Sequence, residues 1–347
     1  MDKEASGVET EDGSEREMNT RNSGWDGPGD DAYGYLFAHF REEPDGYAER
    51  IYFSLSEDDS PLRWVPLWGG LPRLTSNLGT TGVRDPAIVR DHAGRFHILA
   101  TDLRVWGGDD AGWQEWRRKG SRSLIVWDSD DLIEWTGPRA VEIAPPTAGM
   151  AWAPETTVDS ATGEHIVFWS SWLFDEADPE HQGESYSRIM YSRTRDFEDF
   201  TEAEILVDSG LDIIDTAILQ EGGRVYRFSK DERRGGDSWG IHQDVGSGLF
   251  ADDFVTLRTR IGAGEFADVE APIVVKDPHE ERWYLFLDQY TRMPQGYFVL
   301  ETIDLDAASW APVPAERTRI APGTKHGTML RLTRDEWTRL RSSAVSG

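Results

Sequence analysis

One unit recurs five times along this chain of 347 residues and limits what the chain can fold into. It is an acidic turn closed by an aromatic or apolar residue: SEDDSPLRW ending at Trp64, SDDLIEW at Trp135, TRDFEDF at Phe200, ADDFVTL at Leu257 and DLDAASW at Trp310. Successive units lie 71, 65, 57 and 53 residues apart. Each follows a run with strand character: RIYFSLS, RSLIVWDS, RIMYSRT, GIHQDVGSGLF and YFVLETID. Short runs rich in β-branched and aromatic residues, cut by turns containing Asp, Ser and Gly, favour antiparallel strands over helices.

A second unit opens each repeat: RDPAIV at Asp85, WAPETTV at Trp152, IDTAIL at Asp215, EAPIVV at Glu270 and KHGTMLRL at His326. Four of the five lead through a turn into another strand, GRFHILATD, GEHIVFWSS, GRVYRFSKD and ERWYLFLDQ. The order is therefore strand, turn, strand, loop, strand, acidic turn, outer strand, as in the blades of a β-propeller. The last repeat lacks its later strands, and surplus strands stand at the start, in YGYLFAHF and RIYFSLSED. An all-β, five-bladed propeller is expected, closed by the strand around Met329 pairing with Tyr35 to Phe40, which leaves no free sheet edge at the seam. An array of β-sandwiches is the competing architecture. One catalytic domain is expected over residues 31–340. Residues 1 to about 30 are acidic and rich in Gly and Ser, with Trp25 as their one large apolar anchor, and are read as a disordered tail. Helical periodicity is faint and confined to TRDEWTRLRS.

The net charge of −28 repels polyanions, so neither nucleic acid nor an anionic lipid surface is an expected partner. Only five of the 36 basic residues are lysines. There is no Cys, hence no disulfide and no Cys-ligated zinc. No apolar run reaches membrane-spanning length, and the amino terminus has no apolar leader, so a cytoplasmic location is expected.

The opening strand of a propeller blade lines the central channel, so the starts of these strands converge at one mouth of it. Asp85, Glu155 with Trp152, Asp215, Glu270 and His326 are the residues brought there. Like charges gathered on an axis cost stability, and such strain is kept where function needs it. Clustered carboxylates with one His have two chemical readings: glycoside hydrolysis by an acid and a base, or a hard-cation site of oxygen ligands. Glu155 reads as a hydrogen-bonding wall residue, and Arg227 in YRFSKDE as a group that could bind sugar hydroxyls or a carboxylate. No Gly-x-Ser-x-Gly elbow and no phosphate loop is present.

Taken in order, GVRDP, WAPE, IDT, VEAP and KHGT resemble the motifs of glycoside hydrolase family 43, over residues 33 to 335 or so. The resemblance implies a five-bladed propeller, an inverting mechanism, and α-L-arabinofuranosidase, β-xylosidase or related furanosidase activity on side chains of polysaccharides or on oligosaccharides. By position, Asp85 would be the general base, Glu270 the general acid, and Asp215 the group that orients the acid and raises its pKa. Trp152 would stack under the sugar. His326 matches an axial His near a bound calcium or water, so a structural calcium would be possible although no cofactor is required. The departures are IDT, where many members have Asp-Pro, and RVWGGDDAGWQEWRRKGSRS, which is expected to shape the pocket rim. A non-catalytic carbohydrate-binding propeller is the rival class. It would have no reason to retain all three acids.

Overall fold

In the computed structural model, which describes residues 29–42, 49–233, 239–264, 266 and 268–344, the strands form five four-stranded antiparallel sheets, one per repeat. The tail expected up to about residue 30 lies outside the described residues except for its end, which enters a 3₁₀ turn at Gly29–Asp31. Sheets run outward from the axis in chain order. The first full blade holds β4 (Val83–Arg90), β5 (Phe96–Asp102), β6 (Ser123–Ser129) and β7 (Thr136–Glu142). The next holds β8 (Trp152–Val158), β9 (His165–Trp172), β10 (Ser187–Thr194) and β11 (Glu204–Val207). Then come β12 (Ile213–Glu221), β13 (Arg224–Asp231), β14 (Gly240–Gly246) and β15 (Val255–Ile261), followed by β16 (Val269–Lys276), β17 (Trp283–Gln289), β18 (Gly296–Thr302) and β19 (Ala311–Pro312). The fifth blade joins the two ends of the chain: β20 (Lys325–Thr333) is innermost, followed by β1 (Ala32–Phe40), β2 (Ile51–Ser56) and β3 (Trp64–Pro66).

The expected closure is present in register, with Met329 opposite Phe37, Thr328 opposite Ala38 and Lys325 opposite Phe40. Among the described residues two α-helices interrupt the pattern. Helix α1 (Trp113–Lys119) lies in the insertion between β5 and β6. Helix α2 (Arg334–Ser343) is the TRDEWTRLRS segment, started by a capping box between Thr333 and Glu336.

Three of the repeated acidic turns share one physical cause. A hydroxyl and a carboxylate two residues apart cap the loop leaving the third strand. Ser129 accepts from the Leu132 N–H and Asp131 from those of Ile133 and Glu134; Thr194 and Asp196 repeat this with Phe197, Glu198 and Asp199. Thr302 and Asp304 do so again for Asp304, Asp306 and Ala307. Side chains that satisfy nearby N–H groups make a turn without help from the rest of the fold, which is why the motif stands out in the sequence.

The core is divided into five seams, one between each pair of blades, because successive side chains on a strand point to opposite faces. Leu36 packs toward the β4–β7 blade with Ile98 and Trp127, while its neighbour Phe37 packs toward the β16–β19 blade with Phe286 and Val299. Ile98 and Leu99 divide likewise, as do Val167 and Phe168, and Leu285 and Phe286. Both faces of every sheet are buried, so the middle strands read as continuous apolar runs. A sixth cluster, Leu103, Met150, Trp152, Trp172 and Phe174, lies beneath α1.

Candidate active site

Each opening strand breaks its ladder at one level. The register skips two residues at Asp85–Pro86, Ala153–Pro154, Asp215–Thr216 and Ala271–Pro272. The first residue of each pair has a left-handed backbone, with φ of 50°, 51°, 49° and 53° respectively. Proline suits the second position because it has no N–H to leave unpaired. A bulge of this kind turns a side chain that would lie against a neighbouring sheet toward the channel. Holding a residue other than glycine in this conformation costs about 1–3 kcal/mol, and four such residues at one level mark a place where the fold accepts strain. In the fifth blade the break falls at His326, which the register skips between Lys325 and Gly327, and a Cβ on Gly327 would lie 2.0 Å from the Ala38 carbonyl oxygen.

This alignment refines the expected convergence. Asp85 and Asp215 occupy equivalent bulge positions. His326 is the residue skipped in its own strand, Glu270 stands one residue before its bulge, and Glu155 stands two residues after Ala153. The bulges nevertheless bring Asp85, Asp215, Glu270 and His326 to one site. His326 Nδ1 is 3.4 Å from Asp85 Oδ1 and 4.0 Å from Asp215 Oδ1. The Ala271 N–H, adjacent to Glu270, donates to Asp215 Oδ2 at 3.1 Å.

The electrostatics give these acids different proton affinities. Burial works against the Asp85 carboxylate, but the imidazolium of His326 and the guanidinium of Arg84 outweigh it and hold its pKa below the ordinary value. Burial raises Asp215 to about 6; the His326 charge opposes this and the Glu270 charge adds to it. His326 rises to about 9 despite burial, because Asp85 and Asp215 flank it. The largest departure from expectation is at Glu270. Burial would raise it, yet Lys230, whose Nζ lies 2.9 Å from Oε2, together with Lys325 and Arg84, pulls it well below the usual carboxylate range. The raised member of the Asp215–Glu270 pair is therefore Asp215, because two lysines stand beside Glu270.

Several groups at this site escape sequence reasoning. Lys230, at the axial end of β13, also pairs with Glu232 Oε1 at 2.6 Å. Lys325 pairs with the fully buried Asp288 at 3.2 Å, and burial lifts Asp288 to about 7. Arg84 is held by Glu49 and Glu42 at 2.9 and 2.8 Å. The scarcity of lysine was the available signal: two of the five adjoin the motifs, Lys325 beside His326 and Lys230 within YRFSKDE.

The remaining candidates divide. Glu155 faces an axial cavity of about 100 Å³ lined by all five opening strands, and burial raises it to about 8. Trp152 is nearly buried, edge-on to Trp113 at 5.9 Å, and Trp113 is the ring left 47% exposed. Helix α1 thus covers the tryptophan expected to stack on sugar and presents its own. Arg227 is a correction. It pairs in register with Ile218, several residues along the strand from Asp215, lies over the Phe254 ring at 3.3 Å, and has Asp244 as its nearest carboxylate at 4.0 Å. That places it in the seam toward the β8–β11 blade. At His326, where a calcium reached through water was expected, the surroundings are these. Its Nδ1 is committed to two carboxylates, and among the described residues no group of three or more His, Asp or Glu is spaced to hold a metal ion.

A family model described as "Probable glycosyl hydrolase domain", of the family-43-related type, matches residues 30–338. The chain is 31% identical over 232 residues to an α-L-arabinofuranosidase of Bifidobacterium longum subsp. longum. That match takes in 63% of this chain and 21% of the relative, so the chain spans about a fifth of the curated protein's length. Among solved structures, a family-43 β-1,3-galactosidase bound to galactodeoxynojirimycin superposes with a TM-score of 0.55 at 12% identity, covering 85% of this chain and 90% of the other. A second family-43 β-1,3-galactosidase gives 0.54 at 11% identity, covering 77% and 54%. At these identities the structural likeness is one of fold. The chain belongs to the family-43-related glycosyl hydrolases, and its fold is their five-bladed propeller.

Proposed function

We propose that this chain hydrolyses α-L-arabinofuranosides with inversion, acting on side chains of a polysaccharide or on oligosaccharides. The observation that carries the reading is the convergence of Asp85, Asp215 and Glu270 from three blades around His326, in a chain 31% identical to an arabinofuranosidase over the region matched. Asp85, kept ionised, is suited to hold a water and take its proton as the water oxygen bonds to the anomeric carbon. Glu270 is suited to give a proton to the departing glycosidic oxygen as the old bond breaks. Asp215, which carries the raised pKa, orients the backbone beside Glu270 and keeps a second negative charge off the site below pH 6 or so. Trp113 offers a ring at the rim for the sugar beyond the cleavage point.

The test is a panel of nitrophenyl glycosides, α-L-arabinofuranoside, β-xyloside and β-galactoside, with NMR of the first-formed sugar. Hydrolysis of the arabinofuranoside with an inverted anomeric centre supports the proposal. Preference for the galactoside would reassign the substrate, retention would remove the role given to Asp85, and no turnover of any of the three would favour a binding propeller.

A further inference from the structure

The position of Lys230 raises a difficulty for any acid role of Glu270, and α1 bears on it. Lys230 is 3% exposed and shares its ammonium between Glu270 Oε2 at 2.9 Å and Glu232 Oε1 at 2.6 Å. The other oxygen of Glu232 accepts from Arg117, on the last turn of α1. The insertion that shapes the rim is thereby joined to the candidate acid by an unbroken line of charged hydrogen bonds. We propose that Arg117, Glu232 and Lys230 form a relay of positioning residues through which α1 sets how firmly Lys230 holds Glu270. This rests on the acid role given to Glu270 above.

An ammonium shared by two carboxylates leans toward the one with more uncompensated charge. While Arg117 neutralises Glu232, Lys230 leans to Glu270 and keeps it a carboxylate. When Arg117 draws back, Glu232 takes Lys230, and Glu270 can accept a proton. The geometry gives α1 a means of responding to ligand. Arg117 lies one helical turn beyond Trp113, and both meet Trp152, the ring of Trp113 at 5.9 Å and the guanidinium of Arg117 at 6.0 Å. A sugar resting on Trp113 therefore presses on the helix that carries Arg117. Arg117 Nε is buried between the Trp152 and Trp172 rings with no hydrogen-bond partner, so polar contacts hold it only through its far end.

Other charged groups face Glu270 as well. Lys325 from β20 is 4.0 Å away, and Arg84 from β4 adds positive potential. Asp215 from β12, Asp288 from β17 and Tyr290 just after it add to the opposite side when ionised. These are common to every relay variant, so differences between variants report on Arg117, Glu232 and Lys230.

The experiment is a carboxyl-carbon NMR titration of the full chain with labelled glutamate, Glu270 being assigned by its absence in Glu270→Gln. Lys230→Met should raise the Glu270 midpoint by about 1–3 units, the usual effect of removing an adjacent opposite charge. Arg117→Gln should raise it less, Arg117→Lys should stay near wild type, and Glu232→Gln should give no upward movement. The decisive variant is Arg117→Gln combined with Lys230→Met, which should titrate like Lys230→Met alone. The relay is overturned if the Arg117→Gln shift is absent, or survives in full without Lys230. Should Arg117→Gln fail to fold, an upward shift in Glu232→Gln overturns it as well. Hydrolysis assays separate the two readings: intact shifts in a chain that cleaves nothing would remove the acid role and leave the relay, whereas unmoved midpoints in an active chain would do the reverse.

Discussion

His326 Nδ1 lies 3.4 Å from Asp85 Oδ1, a contact between the innermost strand of the closing blade and the innermost strand of the next. The pair is mutually stabilising in its charged form: His326 is lifted to about 9 and Asp85 is held down. The imidazolium also serves Asp215 at 4.0 Å. His326, with Arg84 behind it, thus keeps the candidate base ionised, and removal of the imidazolium has a direction that can be worked out.

Replacing His326 with Gln takes the positive charge from beside Asp85. The Asp85 pKa must rise, since burial then acts with less opposition. A base with a higher pKa is protonated sooner on acidification, so the acid limb of kcat/KM should move up by about one unit or more. The pH profile of the variant measures this. An acid limb left where wild type has it would show that His326 does not govern Asp85.

Glu270→Gln and Asp85→Asn should differ in how they depend on the leaving group. A glycoside with a poor leaving group needs the proton, so Glu270→Gln should slow it by about 10²–10⁴-fold and slow an aryl glycoside with an acidic phenol much less. Asp85→Asn should abolish both, because every substrate needs the water activated. Equal losses on both substrates in Glu270→Gln would reject the acid role.

Stability of the ring should depend on its seam. Phe37 is fully buried opposite Met329 in the register that joins the two ends of the chain. Truncation of Phe37 to Ala should cost about 3–5 kcal/mol. The Thr328 hydroxyl accepts from the Ile88 N–H at 2.7 Å and donates to the Pro86 carbonyl at 3.1 Å, tying β20 to β4 across the seam. Thr328→Val strands both groups and should cost about 1–3 kcal/mol. Denaturant unfolding reads both, and a Phe37→Ala loss below about 1 kcal/mol would mean that the seam contributes little.

Much of the fold could be read along the chain, because the signals are local. The turns after β6, β10 and β18 are made by a hydroxyl and a carboxylate two residues apart, and they recur as visible text. The bulges are equally local: RDP, WAP, IDT and EAP are four versions of one kink, the fifth opening strand breaks its ladder at His326, and each names the strand that reaches the axis. The seam was legible because a missing strand at one end matched a surplus at the other.

Arg227 and Lys230 show where such reading stops. Both lie in YRFSKDE on β13, three residues apart, and nothing nearby distinguishes them. The strand's alternation and its distance from the bulge at Asp215 send Arg227 to a seam between blades and Lys230 to Glu270. Trp152 leaves its expected place for a similar reason, since α1 folds over it and leaves Trp113 at the rim.

The sequence by itself determined the number of blades, the way the ring closes and which strands carry acids to the axis, because these follow from turns, bulges and strand periodicity within a few residues of each other. Which acid gives up its proton last was decided by the tertiary structure alone. The charge on a buried carboxylate depends on groups within a few ångströms, and those come from other blades: Lys230 and Lys325 on Glu270, His326 on Asp85, and burial itself on Asp215.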